Sequence, residues 1–230
     1  MTINKTRRLS WVMCPPAKQL ALILAFLLGA LLVEKAAGIV PSQAEDFLDH
    51  QNVSSIAVLP PVGASIPDSV RKAAGDLFIL KLTLRRSSVR VVRPETLVEQ
   101  LNKAGKLSEF ASFVNLLSQT GVVNRGSLTA IGNTAETDAL LLINVLNYEE
   151  EKGSWWYGKG GKNFCRIQYS LFRVSDGERI WQSLEFRQHD SKLSTRPYPM
   201  ERVVGDVSKK AVTSLLTGRE NVDVRRKKSD

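Results

Sequence analysis

The stretch Ala139-Leu140-Leu141-Leu142-Ile143-Asn144-Val145-Leu146 is apolar at almost every position. A half-solvated strand alternates apolar and polar side chains, whereas this one offers apolar groups to both faces. It predicts a strand at the centre of a sheet covered on both sides, so helices must come from elsewhere in the chain. Val70, Ala73, Ala74, Leu77, Leu80 and Leu84 recur at helical spacing, with Leu77, Leu80 and Leu84 as the expected core stripe and Ser65 or Asp68 as the cap. Pro94 opens a second helix with Leu97, Val98 and Leu101 inward. A third runs from Ser108 with Phe110, Phe113, Val114 and Leu117, and Ser127 caps a short fourth carrying Leu128, Ile131 and Ala135. Met200, Val203, Val204, Val207, Ala211, Val212 and Leu215 make a last amphipathic helix, ended at Gly218.

The remaining strands are shorter or alternating. Residues 55–59 form an apolar run stopped by Pro60-Pro61, and residues 89–92 form another. Residues 164–174 and 179–188 alternate, joined by Ser175-Asp176-Gly177-Glu178, whose Asp-Gly pair is a hairpin signal. The order is β-α-β-α-α-α-β-β-β-α. The expected fold class is α/β (or α+β): a mixed sheet with parallel early strands, a late antiparallel hairpin and helices packed on the sheet. Residues 55–217 read as one domain, 45–54 as a polar linker and 218–230 as a flexible basic tail.

The amino terminus sets the compartment. Lys5, Arg7, Arg8 and Lys18 are positive, and no acid precedes Glu34. Residues 20–33 then carry no charge, the length of a signal-peptide core and short of the ~20 residues a spanning helix needs. Ser42-Gln43-Ala44 offers a cleavage site before Glu45, with Ala36-Ala37-Gly38 as a second. An uncleaved anchor over residues 17–33 is the competing reading. Either way the positive end stays cytoplasmic and the rest is exported, to the periplasm or cell envelope. Cys14 precedes the apolar run, so the usual lipidation signal is not present.

Composition narrows the function. The chain is 43% hydrophobic and 24% charged, against a disordered or multi-span protein. Two cysteines exclude a disulfide scaffold and a four-cysteine zinc site, and two histidines leave little for a metal centre. The formal charge is +9, but residues 1–44 hold five bases and one acid, leaving 27 bases against 22 acids. That is no nucleic-acid stripe, and nucleic acid is not an expected partner. Cys165 shares a strand face with Ile167, Tyr169 and Leu171 and reads as a small buried hydrophobe.

Three segments together carry a resemblance: Ile56-Ala57-Val58-Leu59-Pro60-Pro61, Thr137-Asp138-Ala139-Leu140-Leu141-Leu142-Ile143, and Phe172-Arg173-Val174-Ser175-Asp176-Gly177-Glu178-Arg179-Ile180-Trp181-Gln182-Ser183. In their order after an export signal, over residues 53–217, they resemble the periplasmic α/β domain of three groups. These are curli-secretion lipoproteins of the CsgG type, the amino-terminal domain of the Tol translocation protein TolB, and penicillin-binding-protein activator lipoproteins. The chain departs from the pattern in lacking a lipidation cysteine. It is also expected to lack long amphipathic strand pairs, because the insertion 148–163 is charged and glycine-rich. The resemblance implies a non-enzymatic envelope module that docks partners.

That insertion holds the candidate site. Trp155, Trp156 and Tyr157 sit among Glu149, Glu150, Glu151, Lys152, Lys159 and Lys162. Trp and Tyr are favoured interface anchors, so Trp155, Trp156, Tyr157, Lys159 and Lys162 form the expected partner-binding set. The alternative is that the aromatics fold back over an open sheet edge. Lys159-Gly160-Gly161-Lys162 lacks the frame of a phosphate loop, and the three glutamates read as a solvated run. Asp138 reads as a cap or turn residue, His50 and His189 as surface residues, and Trp181 as cross-strand packing. No catalytic, cofactor-binding or metal-binding residue is assigned, and no cofactor. The expected partners are unidentified envelope proteins, membrane contact through residues 20–33, and further copies of the chain. The tail Arg225-Arg226-Lys227-Lys228 reads as solubilising or as a contact for anionic lipid. Competing readings are an envelope hydrolase, which needs convergent acids or a nucleophile–base pair, and a secretion-channel subunit.

Overall fold

A computed structural model describes residues 46–120, 122–191 and 194–220; the export segment and the tail from 221 onward lie outside the described residues. The elements in order are α1 (Phe47–His50), β1 (Ser55–Val58), α2 (Asp68–Arg85), β2 (Arg90–Val92), α3 (Pro94–Lys103), α4 (Leu107–Thr120), α5 (Arg125–Thr134), β3 (Ala139–Glu151), β4 (Lys162–Arg173), β5 (Arg179–Asp190) and α6 (Met200–Leu216). The sheet order is β2-β1-β3-β4-β5. β1 runs parallel to both β2 and β3, and β4 and β5 are antiparallel to their neighbours. This is the mixed sheet expected from the sequence.

β3 is central because its side chains feed two cores. Ala139, Leu141, Ile143 and Val145 face α2 and α6, while Leu140 and Leu142 face α3, α4 and α5. The hairpin turn also forms as expected. Gly177 sits at φ +66, where glycine carries no Cβ penalty, and the Asp176 side chain accepts from the Glu178 amide at 2.9 Å.

The core face of α2 differs from the expected leucine stripe. Val70, Ala74, Phe78, Ile79 and Leu82 are buried, whereas Leu80 and Leu84 are 48% and 71% exposed. Phe78 decides the rotation. Its ring stacks on buried Tyr169 with centroids 5.1 Å apart, and the residues four apart from it share that face. Neither expected cap serves, since Pro67 precedes the helix without a side-chain bond and Ser65 takes φ +60 in the loop before it.

The segment 45–54, expected as a linker, is instead packed on the body over residues 46–53. Leu48 is 0% exposed and Val53 is buried in the same core as α2 and α6. Asp46 caps α1, and Arg86 at the end of α2 pairs with Asp46 (3.6 Å) and Asp49. Three apolar residues among polar neighbours, Phe47, Leu48 and Val53, dock the segment.

The ribbon is also longer than expected, since β3 runs on to Glu151 and β4 begins at Lys162. β3 and β4 pair over twelve positions, from Ala139 with Arg173 to Glu151 with Lys162, with a bulge between Val145 and Asn147. Both ends of the supposed insertion, residues 148–151 and 162–163, are therefore strand. Cross-strand pairing keeps Glu149, Glu150 and Glu151 extended despite their weak strand preference. One face of this ribbon packs on α6 through Cys165, Ile167, Tyr169, Leu171 and Trp181. The other face is covered only near Leu140, Leu142 and Phe172, so Arg166 and Leu146 beyond them are exposed. On that same face Phe164 and Phe186 pack ring to ring at 6.4 Å.

Candidate functional site

The hairpin between β3 and β4 ends in a closed tip. Ser154 and Lys159 exchange both backbone hydrogen bonds, at 2.8 and 3.0 Å. Between them Trp155–Tyr157 make one turn of 3-10 helix, and Gly158 reverses the chain at φ +58. The Lys159 ammonium donates to the Glu151 carboxylate, which that bond holds below its ordinary pKa. Trp156 and Tyr157 stand 90% and 87% exposed on this tip.

The root of the tip is fixed by a strap that the sequence did not announce. Gly153 donates its amide to the Thr195 carbonyl at 2.7 Å, and Gly161 to the Ser194 carbonyl at 3.0 Å. Ser191 donates back to the Gly161 carbonyl at 2.8 Å. A Cβ on Gly161 would lie 2.5 Å from the Pro197 nitrogen, so only glycine lets the strap lie this close. The two prolines flanking Tyr198 were the available signal for a stiff connector.

Of the expected set, Trp156, Tyr157 and Lys159 come together on the tip. Lys162 lies lower, half-buried at the first position of β4, opposite Glu151 and Asp190. The Trp155 side chain lies outside the described residues. The fold-back alternative does not describe Trp156 or Tyr157, which cover nothing.

Other titratable groups are held in structural roles. Cys165 is buried, and burial pushes its thiol up to about 12. His189, expected on the surface, is half-buried, with Nε2 3.0 Å from Asp206 and its ring edge-on to Tyr198 at 5.4 Å. It joins the end of β5 to α6, and Arg202 lies 4.6 Å over the Tyr198 ring. Burial pushes Tyr148 up to about 12; its hydroxyl donates to Glu150 at 3.1 Å. Asp138 accepts from the amides and hydroxyls of both Ser54 and Ser55 at 2.7–2.9 Å. Burial alone would raise its carboxyl, but these four donors hold it below the ordinary value. Among the described residues, no three His, Cys, Asp or Glu side chains group to hold a metal ion, and no helix is long and apolar enough to cross a membrane.

No family model matches the sequence, and no curated protein does either. The fold is similar to solved bacterial structures at low identity. Lipoprotein GNA1162 from Neisseria meningitidis is 15% identical with a TM-score of 0.47, covering 70% of this chain and 97% of that one. The PelC dodecamer from Paraburkholderia phytofirmans is 14% identical with a TM-score of 0.41, covering 72% and 89%. The LpoB C-terminal domain from Escherichia coli is 15% identical with a TM-score of 0.35, covering 58% and 82%.

Proposed function

We propose that this chain is an exported, non-catalytic docking module of the bacterial cell envelope that engages a partner protein through its hairpin tip. One observation carries the reading: two large aromatics stand almost fully in water on a turn closed by paired hydrogen bonds and strapped at its root. Exposed aromatics are unfavourable in water unless a partner covers them, and a preformed turn avoids the ordering cost of binding. The positive amino terminus and the uncharged run after it support an exported body. The geometry within the body fits docking at a distance. Asp46 lies at the amino end of β1, beside Arg86, whereas β3 carries the tip to the opposite pole. Its thirteen residues at ~3.3 Å each put about 40 Å between the two ends.

The test is proximity crosslinking in the native envelope from a probe placed at Ser154. A partner captured by the parent chain should be lost when Trp156 and Tyr157 are both changed to alanine, with thermal unfolding almost unchanged. Equal capture by the double variant would overturn the docking role of the tip.

A further inference from the structure

We propose a second binding site, separate from the tip, for a carboxylated sugar in the cleft on the open face of the ribbon. The cleft is about 460 Å³ and lies where α4 and α5 stop short of β4, a volume in the range of small-ligand sites. Its floor is polar, from Asn144 on β3 and Gln168 and Ser170 on β4; Arg125 and Arg179 line its rim. Ser170 is only 4% exposed, yet its hydroxyl has no hydrogen-bond partner among the described residues. Asn144 and Gln168 beside it are half-buried, and Arg125 and Arg179 are exposed. An enclosed hydroxyl normally finds a partner, so Ser170, lining this cleft beside two half-buried amides, points to a ligand.

The charge at the rim selects its sign. Arg125 is the first residue of α5 and packs across Gly177, where a Cβ would meet its own Cβ at 3.0 Å. The amino end of a ten-residue helix adds positive potential at the same place. Glu178 also lines the cleft, and Arg173 stands 3.9 Å from its carboxylate. A carboxylate suits two guanidinium groups. The rest of the ligand is selected by the floor, which is a sheet face rather than a sheet edge. Backbone amides and carbonyls there are used between strands, so an extended peptide finds no ladder to join. Side-chain amides and a hydroxyl, each able to donate and accept, match sugar hydroxyls.

The experiment titrates the full chain with sodium glucuronate, glucose or the dipeptide alanyl-glutamate, reading backbone amide NMR signals. Glucuronate should shift the signals of Asn144, Gln168 and Ser170 and leave those of Trp156 and Tyr157 unmoved. Glucose should bind more weakly. Changing the exposed Arg125 and Arg179 to glutamine should weaken glucuronate binding by about ten-fold or more, the scale of losing charge-assisted bonds, with the thermal midpoint unchanged. Ser170→Ala should weaken both sugars. No shift with glucuronate, equal binding by the double variant, or tighter binding of the dipeptide would each overturn the assignment. The tip-docking proposal is untouched by any of these outcomes.

Discussion

A single carboxylate joins two distant strands: Asp138 receives four hydrogen bonds from Ser54 and Ser55, 83 and 84 residues away in sequence. Its role as a turn residue was legible from its place before β3, but its partners were not, because nothing local in Ser54-Ser55 names the strand it will join. Asp138→Ala should destabilise the chain by about 2 kcal/mol, since it leaves several donors unpaired, measured by urea unfolding at neutral pH. The folded carboxyl is held below its ordinary value. Its stabilising contribution is therefore complete above pH ~4 and fades as the pH falls through the folded value. Asp138→Asn should flatten that acid limb of the stability curve, and an unaltered acid limb would count against the assignment. Gly161 carries a different constraint. With a Cβ 2.5 Å from the Pro197 nitrogen, Gly161→Ala must displace the strap. It should cost about 1–3 kcal/mol, as overpacking does, and it should raise hydrogen exchange at the Gly153 amide.

The elements were mostly visible as periodicity, and their errors are informative. In α2 the leucines suggested one stripe, yet an aromatic ring set the rotation, because Phe78 buries more apolar area than Leu80 or Leu84 and finds Tyr169 to stack on. Phe78→Ala should therefore lose about 3–5 kcal/mol, whereas Leu84→Ala should stay within about 0.5 kcal/mol. Thermal unfolding of the pair distinguishes the two faces, and comparable losses would restore the leucine stripe. In the ribbon, charged Glu149–Glu151 looked like loop, but register with Phe164, Asn163 and Lys162 made them strand. The candidate tip was legible as composition, three aromatics among charges and glycines. Its closure was not, because the bonds that strap it come from Ser191, Ser194 and Thr195, thirty or more positions further on.

At the scale of the whole molecule, the body begins earlier than its polar composition implies. Leu48 and Val53 seat residues 46–53 against α6 and the sheet, and Gly218 closes against Phe47 at the far end of that helix. Leu48→Ala should cost about 2–5 kcal/mol, seen as a lower denaturation midpoint with an unchanged slope. A near-neutral result would return the segment to the status of a connector. The same organisation sets the tip at the pole away from Asp46, so lengthening the β3–β4 ribbon would move the tip without touching the core.

The order of elements, the central position of β3, the Asp-Gly turn and the burial of Cys165 follow from patterns of period two and 3.6, which the chain carries locally. The rotation of α2, the strap beneath the tip, the seating of residues 46–53 and the cleft floored by Asn144, Gln168 and Ser170 were decided only by folding. Each depends on which side chains meet across long sequence separations, and local periodicity holds no record of such meetings.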